Sequence, residues 1–279
     1  MPFTIVHLSD LHFHSYPKTF QEWTSKRALG ALNLFLRKKK HYPLERAKKL
    51  VHTLQELQWD HLVISGDLTY LALEEGFARA RCVLEPLLDI PEKVTIIPGN
   101  HDRYVEAACQ PDLFEKTFSP FIFKGEASSN GMGTQQLTEQ WHLVSWDCTH
   151  PNDWLTASGT VRRKTMLATE AYIRAQPAGS RFIITNHYPV WFPPGEIIES
   201  GHELYNLAHA QHWVMQQPQV IIYLHGHVHR NWNHKLSRDG NPLYMVNSAS
   251  STSVSTAQHS SFHRIHIDGL QVSVEPMKF

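Results

Sequence analysis

The chain has 279 residues, 42% hydrophobic and 19% charged, with 26 basic against 26 acidic side chains. That composition supports a buried core, and the balanced charge supplies no global field that would draw nucleic acid, so no nucleic-acid partner is expected. Three scattered cysteines, Cys82, Cys109 and Cys148, argue against a disulfide framework and fit a reducing compartment.

In chain order, the apolar run Phe3–Leu8 reads as a buried strand that ends at Asp10-Leu11-His12. A segment at about 18–42 follows, rich in both apolar and basic residues. Pro43–Trp59 carries Leu44, Ala47, Leu50, Val51, Leu54 and Leu57 at helical spacing. His61–Ser65 is a second strand, ending at Gly66-Asp67. Glu74–Leu88 repeats the helical pattern until Pro86 kinks or ends it. Lys93–Ile97 is a third strand, ending at Gly99-Asn100-His101-Asp102. His142–Trp146, Arg181–Thr185 and Val220–Leu224 are further strands. The last two run into Asn186-His187 and Gly226-His227-Val228-His229.

Beyond that point the pattern becomes antiparallel. Asp239-Gly240 separates Asn231–Ser237 from Leu243–Asn247, and Asp268-Gly269 separates Phe262–Ile267 from Leu270–Glu275, as in two hairpins. Between them, Ser248–Ser260 reads as a mobile loop. These elements imply an α/β (α+β) fold with two facing mixed sheets flanked by helices, forming one domain over residues 1–279 with an insertion at about 18–42. No segment resembles a signal peptide and no apolar stretch approaches the roughly 20 residues of a spanning helix, so a cytoplasmic protein is expected.

Each polar cluster follows a strand, and open α/β sheets gather ligands at the C-terminal ends of their strands. Adjacent strands would bring all five clusters to one rim. Asp10 and Asp67 offer anionic oxygen; His12, His187, His227 and His229 offer imidazole; Asn100 offers a carbonyl. This inventory can hold two divalent cations about 3.5–4 Å apart. Nitrogen and oxygen ligation without thiolate suits Mn²⁺, Fe or Zn. The residual positive charge would attract a phosphate and stabilise its transition state. His101 is left over, and Asp102 after it is placed to orient its ring, leaving the other nitrogen for a leaving-group oxygen. Alone, each cluster also reads as a turn or a polar strand end; the weight lies in the series.

Asp10-x-His12, Gly66-Asp67, Gly99-Asn100-His101-Asp102, His187 and Gly226-His227-x-His229 resemble the signature of calcineurin-like metallophosphoesterases. The resemblance implies a β-sandwich flanked by helices. It implies one metal held by Asp10, His12, Asp67 and His229, a second held by Asp67, Asn100, His187 and His227, and His101 as the catalytic histidine. With Leu68-Thr69 after Gly66-Asp67, the segment is also similar to class III cyclic-nucleotide phosphodiesterases. The insertion from Phe20 to Lys40 looks like the corresponding region of chlamydial-type UDP-2,3-diacylglucosamine diphosphatases of lipid A synthesis.

The insertion has a physical reading of its own. Phe20, Trp23, Leu29, Leu32, Phe35 and Leu36 precede Arg37-Lys38-Lys39-Lys40, a combination suited to the interface of an anionic membrane. The same pattern also describes an amphipathic helix packed on the core with a solvated basic end. Asn33, Arg37 and Lys38 are candidate contacts for a diphosphate or nucleotide, and Trp191, in Trp191-Phe192-Pro193-Pro194-Gly195, for a base or acyl chain. The expected function is hydrolysis of a nucleotide-linked lipid, UDP-2,3-diacylglucosamine, with peripheral contact at the inner membrane. The alternatives are a 3′,5′-cyclic nucleotide and, outside enzymes, a metal-binding scaffold. The His101-Asp102 pair argues against a scaffold, which has no use for a non-ligand histidine.

Overall fold

The buried run Phe3–Leu8 forms β1, flanked on one side by a parallel neighbour and on the other by an antiparallel one. The computed structural model describes residues 2–38, 41–110, 112–122, 129–197, 199–238, 241–254 and 261–279. The first sheet runs β11 (Gln271–Lys278), β10 (Ser261–Asp268), β1, β2 (His61–Ile64), β3 (Val94–Ile96). Strands β1, β2 and β3 are parallel, and the C-terminal hairpin β10–β11 closes the edge antiparallel to β1. The second sheet runs β4 (Met132–Gln136), β5 (Trp141–Trp146), β6 (Arg181–Thr185), β7 (Val220–His225), β9 (Leu243–Asn247), β8 (Trp232–Leu236). Its four inner strands are parallel, with one antiparallel strand on each edge.

The sheets face each other through an aliphatic layer. Ile5, Val63 and Ile265 of the first meet Leu143, Ile183, Ile222 and Val246 of the second. Full burial of each such side chain stabilises the sandwich by about 1.5–3 kcal/mol. Helices cover the outer faces. Leu50 and Leu54 of α3 (Leu44–Glu56), Phe77 and Leu84 of α4 (Glu74–Leu84) and Phe114 of α6 (Leu113–Phe118) pack on the first sheet. Met166 and Ile173 of α7 (Arg163–Ala175) and Val214 of α8 (Leu207–Met215) pack on the second. At Pro86 the helix tightens into a 3₁₀ turn, Glu85–Leu87, as its missing N–H requires.

The expected strands and both principal helices are present, and the second hairpin closes one residue later than expected, with Asp268 paired to Gln271 and Gly269-Leu270 forming the loop. The Asp239-Gly240 turn lies outside the described residues. Of the loop expected over Ser248–Ser260, residues 255–260 lie outside the described residues, and Ser248 to Thr252 departs from expectation by being buried. Its hydroxyls have backbone work to do: Ser250 Oγ donates to Asp10 O at 2.5 Å and Thr252 Oγ1 to Leu11 O at 2.6 Å.

The insertion forms α1 (Phe20–Trp23), α2 (Arg27–Asn33) and a π-helical turn, Leu34–Lys38. A capping box between Thr19 and Glu22 starts it. One face packs down: Arg27 donates to the carbonyls of Leu71 and Ala72. Gly30 lies so close to Leu71 that an added Cβ would sit 2.4 Å from its Cδ2. The other face carries Leu29, Leu32, Phe35 and Leu36, all exposed.

Candidate metal centre

Parallel strands β1, β2 and β3 end side by side, and their loops are laced together by backbone bonds: Asp10 N to Gly66 O at 3.0 Å, and His12 N to Asp67 O at 2.9 Å. The second sheet joins the same rim, with Ser251 N donating to Ser9 O at 2.9 Å and Gly226 N to His187 O at 3.0 Å. Five residues on these loops hold a left-handed backbone without being glycine: Asp10, His12, Asp67, His227 and His229, with φ between 50° and 74°. Each such residue costs on the order of 1–3 kcal/mol and persists only where its surroundings over-determine it, as at ligand clamps. Close approach fixes the glycines as well. A Cβ on Gly99 would fall 2.2 Å from Asp67 Oδ1. Gly66 has φ +104°, and a Cβ there would fall 2.6 Å from His187 Nδ1.

This backbone brings two groups of donors together. Asp10, His12, Asp67 and His229 each offer one ligand atom, all within 4.8 Å of one another, an arrangement that could hold a metal ion. His12 Nε2 lies 2.9 Å from His229 Nε2, and His229 Nε2 lies 3.2 Å from Asp10 Oδ1. Asp10 Oδ1 is buried without a hydrogen-bond partner. Beside them, Asn100 Oδ1 lies 3.1 Å from His187 Nε2 and 2.9 Å from His227 Nδ1, with His187 Nε2 3.5 Å from Asp67 Oδ2.

Backbone carbonyls set the tautomers of this second group. His187 Nδ1 donates to Ser65 O at 2.8 Å and His227 Nε2 to His202 O at 2.7 Å. In the neutral rings, the remaining nitrogens then present lone pairs toward the lone pairs of Asn100 Oδ1 and Asp67 Oδ2. Acceptors crowded on acceptors in a buried place are what a cation satisfies, and imidazoles oriented by a second-sphere carbonyl are typical of metal sites. Together with the orphaned Asp10 oxygen, the residues present fit a divalent metal pair.

The titration behaviour follows. Burial disfavours charge on His187, but Asp67 beside it carries its pKa up to about 9. His227 is pushed down to about 3 by burial and by His187. Burial also opposes ionisation of Asp67, yet His187 holds its carboxyl well below the usual range. Without a cation the cluster therefore retains a proton that a cation would displace.

His101 stands beside the donors. Its N–H donates to Asp67 Oδ1 at 2.7 Å, and its Nδ1 meets Tyr70 O at 2.7 Å. Its ring stacks against Tyr70, with 5.0 Å between centroids. Asp102 does not orient that ring. Its carboxylate accepts from Leu68 N, Thr69 N and Gly99 N at 3.1, 2.8 and 3.0 Å. Adjacent side chains leave a tight turn in different directions, so Asp102 points down into the loops while His101 points out. Burial, together with Asp67, pushes the Asp102 carboxyl up to about 7 against those three donors.

A cavity of about 290 Å³ opens over the cluster, lined by Asp67, Asn100, His101, His227, His229 and Arg230 together with Ala157, Ile197, Glu199 and His202. Of the weaker candidates, neither Asn33 nor Trp191 is among the described residues that line it. Asn33 is exposed near the end of α2, and the side chains of Arg37 and Lys38 lie outside the described residues. Trp191 is half-buried against the core of the second sheet instead of forming an open lip. Sequence reasoning overlooked Tyr42, whose ring lies 4.8 Å from that of His12, along with Tyr70 and Arg230. The tyrosines carry no spacing signal, but Arg230 directly follows His229 and was open to notice.

A family profile described as calcineurin-like phosphoesterase matches residues 3–231. A curated relative from Vesicomyosocius okutanii subsp. Calyptogena okutanii (strain HA), named as a probable cyclic nucleotide phosphodiesterase, is 23% identical over 185 residues. The match covers 64% of this chain and 67% of the relative. Among solved structures, a dimetal phosphatase from Danio rerio superposes with TM-score 0.71 at 11% identity, covering 98% of this chain and 95% of its own. A purple acid phosphatase from yellow lupin seeds gives 0.62 at 12% identity, covering 100% of this chain and 52% of its own. At these identities the structural likeness concerns the fold.

Proposed function

This chain belongs to the calcineurin-like phosphoesterase family, and we propose that, within this class of metal-dependent phosphoester hydrolases, it cleaves a diphosphate that links a nucleotide to a lipid. The substrate that fits best is UDP-2,3-diacylglucosamine of lipid A biosynthesis, cleaved to a lipid phosphate and UMP. In this reading Asp10, His12, Asp67 and His229 hold one divalent ion, Mn²⁺ by ligand type, and Asp67, Asn100, His187 and His227 hold the other. Bound there, such ions supply Lewis acidity toward a phosphoryl oxygen and acidify water.

The protein's own groups do the rest. Tyr70 O keeps a proton on His101 Nδ1, so Nε2 is the nitrogen free to take up a proton and pass it to the leaving oxygen. Burial lowers the pKa of His101, and the negative charge of a docked substrate offsets that cost. The Tyr70 and Tyr104 rings hold the imidazole's plane and keep bulk water off it.

The observation that carries the lipid reading is the apolar lip. Phe20 is 85% exposed and Phe35 74%, on an insertion whose Lys26 reaches Asp153 O and Thr156 O at 2.7 and 3.1 Å. Next to that anchor, Leu155 is 87% exposed, and Ile197, 78% exposed, lines the cavity itself. Lys26 Nζ also lies 4.8 Å from the Tyr104 ring, which stacks on His101. Ile197 thus shares a cavity with the candidate catalytic histidine, and the exposed apolar residues of the insertion belong to a segment anchored through Lys26 near Tyr104, which supports a lipid-handling, membrane-peripheral reading. No helix among the described residues is long and apolar enough to cross a membrane.

A second reading, hydrolysis of a 3′,5′-cyclic nucleotide, is favoured by the relative named as a probable cyclic nucleotide phosphodiesterase. Turnover of UDP-2,3-diacylglucosamine and of cyclic AMP, measured side by side with Mn²⁺, separates the two. Comparable or better turnover of cyclic AMP removes the lipid assignment; turnover of neither favours a non-enzymatic metal-binding scaffold.

A further inference from the structure

We infer that Arg230 reads a second phosphoryl group next to the scissile one, with Glu196 holding its guanidinium in place until substrate arrives. The inference rests on the diphosphate reading above and assigns the residue that distinguishes a diphosphate from a single phosphodiester.

Arg230 immediately follows His229 and is the one arginine or lysine among the described residues lining the cavity. Its backbone is held on the C-terminal side: Asn247 Nδ2 donates to Arg230 O at 2.5 Å, and Ala249 N donates to the side chain of the next residue, Asn231 Oδ1, at 2.8 Å. The side chain therefore swings from a fixed base. At its tip the guanidinium donates to Glu196 Oε2. That pair is open to solvent, with Arg230 41% and Glu196 31% exposed. Glu196 lies on a turn of its own, its N–H donating to Pro193 O at 3.0 Å, next to Gly195 at φ +88°.

The energetics favour exchange of partner. An ion pair this open to solvent is weak, because water screens it and two long side chains must be held in one geometry, so losing Glu196 costs little. A phosphoryl oxygen pair matches the planar guanidinium fork and forms shorter, charge-assisted bonds. With the scissile group seated over Asp67, Asn100 and His101, the charge of a neighbouring phosphoryl needs a cation. Of the remaining polar lining among the described residues, His227 and His229 are assigned to metal, and neither Glu199 nor His202 brings a fixed cation. A cyclic monophosphate has no second phosphoryl and gains nothing from Arg230.

The test is calorimetric binding to the manganese-loaded protein of two probes, a methylene-bridged diphosphate diester and a phosphonate monoester of the same nucleoside. Wild type should bind the diphosphate probe more tightly. Arg230→Ala should weaken that probe about 10- to 100-fold, the range for a charge-assisted contact, while moving the phosphonate less than twofold; Arg230→Lys should fall between. Glu196→Gln, which frees the guanidinium, should tighten the diphosphate probe alone. Equal weakening of both probes in Arg230→Ala, no weakening of either, or equal affinity of wild type for both overturns the inference. Preferred turnover of cyclic AMP removes the lipid assignment without altering these affinities, so the two failures are distinct.

Discussion

The ring of His101 lies flat against that of Tyr104, with 5.4 Å between centroids and 7° between planes. Removing the imidazole takes away proton transfer and leaves the neighbouring donors in place. His101→Ala should lower kcat about 10²- to 10⁴-fold on a phosphodiester substrate, with manganese stoichiometry by mass spectrometry unchanged. Activity close to wild type would show that His101 carries no proton.

Asp102 is placed to brace loops, not to tune chemistry. Asp102→Ala strands three buried N–H groups and should destabilise the protein by at least about 3 kcal/mol, given roughly 1–3 kcal/mol for each buried donor left unpaired. Urea unfolding measures this directly. If Asp102 instead oriented the catalytic ring, Asp102→Ala would lose activity with its unfolding midpoint intact.

Gly99→Ala tests the close approach beneath Asp67. The added methyl collides with the Asp67 carboxylate and the backbone and should weaken manganese binding at least about tenfold, since sites loosened by a fraction of an ångström lose their ligand geometry. Manganese titration followed by calorimetry reads the loss; unchanged affinity would mean that Asp67 does not depend on this contact.

His263 sets part of the acid stability. It is buried, bonded to Ser248 Oγ at 3.0 Å, and burial pushes its pKa down to about 4 from an unfolded value of 6.5. Because the folded value is the lower one, the stability contribution is complete above pH 6.5 and is lost as pH falls from there toward 4. The shift corresponds to about 3 kcal/mol. His263→Gln should flatten the pH dependence of the unfolding free energy across that window, measured in urea; an unaltered slope would contradict the assignment.

The exposed apolar lip predicts surface binding. Replacing Phe20, Phe35 and Leu36 with serine should reduce co-sedimentation with anionic phospholipid vesicles about tenfold or more, given about 1.5–3 kcal/mol per buried apolar side chain. Turnover of a small water-soluble phosphodiester should persist. Equal sedimentation of wild type and variant would leave the lip without a membrane role.

Much of this was legible in the amino-acid order, for physical reasons. Runs such as Phe3–Leu8 and Val220–Leu224 are buried on both faces, so their continuous apolarity marks strands. The polar residues that end them announce the rim. The role of Asp102 was not legible, because adjacency to His101 says nothing about which way each side chain leaves a turn. The burial of Ser248–Thr252 was equally hidden: hydroxyl-rich segments resemble solvated loops, and their acceptors, Asp10 O and Leu11 O, lie about 240 residues away in the chain. In the insertion, α2 packs one face and exposes the other, a division that the mixture of apolar residues in its sequence did not assign to particular positions.

The separation between the facing rings of His12 and His229, 217 residues along the chain, has a consequence in time. During synthesis Asp10 and His12 leave the ribosome well before four of the other donors, Asn100, His187, His227 and His229. Contacts of such high sequence separation form late. The two groups of donors can therefore come together only once the chain has been made as far as His229 and both sheets have met.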